Sequence, residues 1–82
     1  DLMIIPNPSN GVFTVKFKSL ETDDANIELI DLKGNVVYNE NMRLTQGQNS
    51  INVNVPHLAN QLYYVRIITD RGMVVKRLII EK

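Results

Sequence analysis

Apolar residues return at every second position along much of this chain, and that spacing constrains what it can fold into. Ile51, Val53 and Val55 alternate with Ser50, Asn52 and Asn54, and Phe13, Val15 and Phe17 alternate with Thr14 and Lys16. Ile27 and Leu29 flank Glu28, while Tyr63, Val65 and Ile67 share one face, with Tyr64, Arg66 and Ile68 opposite. Successive side chains of a strand point to opposite faces, so each run reads as a strand with a buried side. Asn10-Gly11, Lys33-Gly34-Asn35 and Asp70-Arg71-Gly72 punctuate the runs, and turn signals recur at the ~8–12-residue spacing of small sandwiches. No stretch carries a sustained helical period. Leu58-Ala59-Asn60-Gln61 has room for a single helical turn, and Ser19 to Asn26, with Glu21, Asp23 and Asp24, reads as a loop. The pattern predicts an all-β fold, an immunoglobulin-like antiparallel β-sandwich of about seven strands, with a β-barrel as the alternative.

The 82 residues hold no internal repeat, low-complexity tract or linker, so residues 1–82 read as one domain. A domain near this size hides only about 60% of the surface its unfolded chain exposes, but a hydrophobic fraction of 44% is enough for one core. Nine Lys and Arg balance nine Asp and Glu, which argues against nucleic acid, whose phosphates call for clustered cations. The chain has no cysteine, which excludes a disulfide framework, a thiolate metal site and a Cys nucleophile. No apolar run approaches the ~20 residues of a membrane span, and no signal-peptide pattern opens the sequence. A strand pattern that sets in directly after Asp1 points to a fragment of a longer protein.

Catalysis would need convergent titratable groups, and the sequence offers few. The single histidine, His57, follows Pro56 in a turn-like stretch with no acidic cluster beside it. Ser9, Ser19 and Ser50 lie in or beside turns and strand starts, outside any Gly-x-Ser-x-Gly setting. Glu21 with Asp23-Asp24 lacks the ligand order of a calcium loop, and Asp31 to Gly34 reads as a β-turn. Gly11, Gly34, Gly47 and Gly72 are scattered over separate turns, so no phosphate-cradling loop exists. The expectation is a protein that is not an enzyme, with no catalytic residues, metal site or cofactor. Tyr63 and Tyr64 must face opposite ways, Tyr63 inward with its hydroxyl at the edge of the core.

The two ends of the chain stand out. Pro6 and Pro8 each remove a backbone donor and hold the preceding residue extended, so Pro6-Asn7-Pro8 reads as a stiff elbow that ends a first short strand and blocks edge pairing. At the other end, Met73 to Ile80 alternates only loosely, and Leu78-Ile79-Ile80 is apolar on both faces. Such a strand is usually central or covered, with flanking charges as gatekeepers. The competing reading is a tail that docks on a partner or adds a strand to it. Arg66, Arg71, Lys76, Arg77 and Lys82 gather in this half, while most acids lie in the first, an asymmetry that would orient an encounter.

In order and spacing these pieces resemble the C-terminal sorting domain of proteins exported by the type IX (Por) secretion system of Bacteroidetes. Pro6-Asn7-Pro8 matches the family's Pro-x-Pro start, Asp31-Leu32-Lys33-Gly34 its Gly-containing hairpin, and Lys76 through Lys82 its basic, β-branched last strand. Leu58, Tyr63 and Val65 match its Leu-x-x-Gly-x-Tyr-x-Val element, with Gln61 where the family usually has Gly. Either Asn60 carries a left-handed turn there, or the turn is of another type. The resemblance covers nearly the whole chain. It implies a non-catalytic signal that directs an attached, N-terminal cargo through the outer-membrane translocon. It further implies transit through the periplasm, sortase processing, and attachment at the cell surface or release. It assigns partner recognition to Pro6, Asn7, Pro8, Lys76, Arg77 and Lys82, and structural roles to Gly34 and Tyr63. An immunoglobulin-like accessory or adhesion module, open to carbohydrate binding, is the alternative, and an unpaired edge strand would allow a homodimer by sheet extension.

Overall fold

A computed structural model describes residues 2–82; Asp1, where the expected join to a longer chain falls, lies outside the described residues. Seven strands form: β1 (Leu2–Ile5), β2 (Val12–Ser19), β3 (Asp23–Ile30), β4 (Val36–Leu44), β5 (Gly47–Asn54), β6 (Gln61–Thr69) and β7 (Gly72–Ile80). They make two antiparallel sheets, one ordered β1-β2-β5 and the other β4-β3-β6-β7. The expected all-β, immunoglobulin-like sandwich of seven strands is what the chain adopts, and no helix forms among the described residues.

The alternation read from the sequence sets the two inner faces. Leu2, Ile4, Phe13, Val15 and Val53 from the three-stranded sheet meet Ala25, Ile27, Leu29, Tyr63, Val65, Ile67, Leu78 and Ile80 from the four-stranded one, all buried. Registers such as Phe13↔Val53, Leu29↔Val65 and Tyr63↔Leu78 keep these residues in phase across neighbouring strands. A slip of one residue would turn every one of them to solvent.

Three expectations change. Ser19 to Asn26 is mostly not a loop, because β3 begins at Asp23 and Ala25 is buried opposite Met42. Asp23 and Asp24 belong to a strand whose Ala25 and Ile27 supply core, and cross-strand pairing outweighs their poor strand propensity. Leu58 to Gln61 forms no helical turn; a single Val55–Leu58 turn closes instead, with the Leu58 N–H on the Val55 carbonyl at 3.2 Å. Finally, β7 is an edge strand and not a central one.

Tyr63 shows how the β5–β6 connection is fastened. Its ring is buried, and its hydroxyl donates to the Ala59 carbonyl at 2.8 Å. A tyrosine at the start of this strand, bonded to backbone a few residues upstream, is the tyrosine corner of immunoglobulin-like sandwiches. Among the described residues none other than glycine has a positive φ, so Asn60 does not replace the family's Gly by a left-handed conformation. The turn is of another type, and the Asn60 side-chain oxygen accepts the Lys82 N–H at 3.2 Å.

Candidate functional site

The connection from β1 to β2 joins neighbours in one sheet, yet it detours to the other. A tight hairpin needs two residues; here Pro6 to Gly11 carries the chain across to the free edge of β7. The Asn7 side chain donates from Nδ2 to the Arg77 carbonyl at 2.9 Å and accepts the Ile79 N–H on Oδ1 at 3.0 Å. Ser9 continues the contact through its backbone, donating to the Ile79 carbonyl at 2.8 Å and accepting from the Glu81 N–H at 2.7 Å. The result is a short parallel bridge between Ser9 and Ile80. An Asn amide has the donor and acceptor of a peptide unit, so one side chain stands in for a stretch of strand that Pro6 and Pro8 cannot supply. The peptide bonds before both prolines are cis.

Ser9 is buried, its hydroxyl donating to the Val12 carbonyl and accepting from Gly11 N–H. Gly11 in turn takes the Val55 N–H on its carbonyl at 2.7 Å and sits at φ 107°. This base holds the elbow in place while Pro6, Asn7 and Pro8 remain exposed. Sequence reasoning missed Ser9; a small polar residue directly after Pro-x-Pro was the available signal.

The six residues expected to recognise a partner divide into three groups. Pro6, Asn7 and Pro8 are brought together with the backbone of Arg77. Lys76 and Arg77, neighbours in sequence, point to opposite sides of β7, since Lys76 pairs with Val65 and Arg77 with Tyr64. Lys82 turns away and donates from Nζ to the Pro56 carbonyl at 2.6 Å. Of the structural pair, Gly34 takes φ 88° in the β3–β4 turn, where its N–H meets the Asp31 carbonyl at 3.1 Å.

The outer face of the four-stranded sheet is divided. Toward β4 it is polar, with Asn26 bonded to Asn39 and Asn41. Toward β7 it is apolar: half-buried Leu62, Tyr64 and Ile68 lie beside exposed Met73, Val75 and Ile79. Arg66 sits at the boundary, bonded through Nε and Nη2 to one Glu28 oxygen at 3.1 and 2.6 Å. Arg71 is likewise satisfied by Glu21 at 2.8 Å and Asp23 at 3.2 Å. The positive asymmetry of the sequence therefore reduces at β7 to Lys76 and Arg77.

Among the described residues three titratable groups move away from neutrality, which is opposite to what acid–base chemistry needs. Burial, together with Glu40, pushes the Tyr38 phenol up to about 12. Asp24 raises Arg43, and the Asn35 backbone N–H leads the hydrogen bonds that lower Asp31. His57 is exposed in its turn.

The described residues form a two-sheet sandwich in which the elbow after β1 and the last strand share one exposed surface. Residues 3–81 match the family of secretion system C-terminal sorting domains, and the chain belongs to that family. No curated protein matches it.

Proposed function

We propose that this domain is the export label of a cargo that precedes it in a longer chain, and that the type IX machinery reads it at the surface where the elbow meets β7. The family itself carries the coarser conclusion, a type IX sorting signal. The observation that supports the finer one is the double hydrogen bond from Asn7 to Arg77 and Ile79, which makes two distant motifs one surface. Pro6, Asn7 and Pro8 give that surface a rigid rim, and Arg77 and Lys76 give it charge on either side of the strand. Lys82 contributes from the Pro56 turn. A rigid surface loses little entropy on docking, which suits a label that many different cargoes carry. In this reading the label has no catalytic part, crosses the periplasm with its cargo, and is removed by a surface sortase as the cargo is attached or released.

The test is a Sec-targeted fluorescent protein carrying this domain at its C-terminus, expressed in a type IX-competent bacterium and in a translocon-deficient strain. Fluorescence on the surface or in the medium of the competent strain alone is expected. A folded reporter retained in the periplasm of both strains would overturn the reading.

A further inference from the structure

The elbow covers only the C-terminal half of the β7 edge. Its contacts reach the Arg77 carbonyl, both backbone groups of Ile79 and the Glu81 N–H. Backbone groups of alternate residues face the same edge, so those of Met73 and Val75 and the Arg77 N–H face outward as well. Among the described residues, β7 pairs with β6 without a register shift and with the elbow only at the Ser9–Ile80 bridge, and no other hydrogen bond reaches Met73 or Val75. This leaves an open slot of about 16 Å, five residues at ~3.3 Å each. It is framed by the β6–β7 turn at one end and by Asn7 at the other.

Each side of the slot has its own chemistry. On the outer face, Leu62, Val75 and Ile79 give a shallow groove its apolar floor, and Asn7, Gln61, Lys76 and Arg77 line the rest of it. On the other side, Lys76 reaches the rim of a groove of about 200 Å³ on the outer face of the three-stranded sheet, which Leu2, Met3, Lys16, Lys18 and Gln48 also line. Among the described residues, its three lysines make no ion pair. Lys16 and Lys18 are two apart on β2 and so share a face.

We infer that the β7 edge from Met73 to Arg77 binds an extended, acidic segment of another protein by strand addition. Alternate acidic side chains of that segment enter the lysine groove, and the intervening apolar ones lie along Val75 and Leu62. Edge pairing supplies hydrogen bonds and the flanking grooves supply selectivity, as in other strand-addition complexes. The charge pattern also disfavours a second copy of this chain. A twofold pairing centred on Val75 would set the two Lys76 side chains diagonally across the seam on one face, and like charges in one site are costly.

The inference rests on the sorting reading only in taking another protein to be the reader, and the two fail separately. Peptide binding without secretion of the reporter sinks the sorting role alone; secretion without peptide binding sinks this inference alone. The probe is a fluorescein-labelled peptide alternating Glu and Val, followed by anisotropy against the 82-residue domain. Saturable binding is expected that weakens with salt and falls about tenfold, ~1.4 kcal/mol, in Lys76→Glu and in Lys16→Glu. Methylating the backbone nitrogens of one alternate set of peptide residues should abolish binding, while methylating the other set leaves it. Three results would overturn the inference: equal binding of a Lys-Val peptide, indifference to both methylation patterns, or a domain that binds phosphatidylglycerol vesicles but not the peptide. So would self-association of the domain that is lost in Val75→Pro, which removes an outward N–H of the edge, since the slot would then hold a second copy.

Discussion

Asn7 and Ile79 stand 72 residues apart in sequence, and the Asn7 side-chain oxygen accepts the Ile79 N–H at 3.0 Å. With the second bond from Asn7 to the Arg77 carbonyl, one side chain ties the elbow to the C-terminal half of the β7 edge. Asn7→Ala removes both bonds while leaving the prolines in place. We expect a loss of about 1–2 kcal/mol in urea unfolding, and faster hydrogen exchange at the Ile79 amide than at the amides that β7 directs to β6. Unchanged exchange at Ile79 would show that the prolines alone shield the edge.

The tyrosine corner separates hydrogen bonding from packing. Tyr63→Phe keeps the buried ring but leaves the Ala59 carbonyl without its donor. A cost of about 1 kcal/mol is expected, read as a fall in Tm of about 4–8 °C for a domain of this size. Tyr63→Ala opens the core as well and should cost about 3–5 kcal/mol. If the two variants melt together, the ring contributes nothing that the hydroxyl does not.

Gly11 and Gly34 both hold positive φ, 107° and 88°, but only Gly11 is crowded. A Cβ on Gly34 meets nothing within 4 Å, so Gly34→Ala carries backbone strain alone, about 1–2 kcal/mol. A Cβ on Gly11 would lie 3.0 Å from both the Pro56 Cα and the Val55 carbonyl oxygen. Both are backbone atoms that cannot rotate away, so Gly11→Ala should cost about 3–4 kcal/mol once overpacking is added. Chemical denaturation of the two variants gives the order directly, and equal losses would contradict it.

Asp31 predicts a pH dependence. Hydrogen bonds led by the Asn35 N–H hold its carboxyl below the usual value of 3.8. A carboxylate depressed by folding stabilises fully above its unfolded value, and that contribution disappears as pH falls through the folded one. Wild type should therefore lose stability relative to Asp31→Ala as pH drops below about 3.8, while their difference stays constant from pH 5 to 7. Thermal melts across that range read the effect.

Much of the fold was legible because burial in a two-layer sandwich imposes a period of two, and the residues obeyed it. Tyr63 faces inward and Tyr64 outward, as their phases with Val65 and Arg66 required. The β3–β4 turn at Gly34 formed where the turn residues stand. The loop expected at Ser19 to Asn26 failed because Asp23 and Asp24 look like turn residues until Ala25 and Ile27 are seen to pair with Met42 and Glu40. The candidate site was legible in its parts and not in its assembly. Both motifs were visible, but nothing local to Pro6-Asn7-Pro8 says that its amide meets Arg77 and Ile79. The roles of Lys16 and Lys18 were hidden for the same reason.

By itself, the sequence determined most of the strands, the faces they bury and the glycine turns between them, though not the start of β3 or the turn before β6, because side-chain alternation and glycine conformation are local properties. The tertiary structure alone decided that β7 lies at an edge, that the elbow seals half of it, and that lysines from β2 and β7 meet beside the rest. Strand order and the closing of long loops depend on which edges pair, and edges carry backbone groups that are the same in every residue but proline.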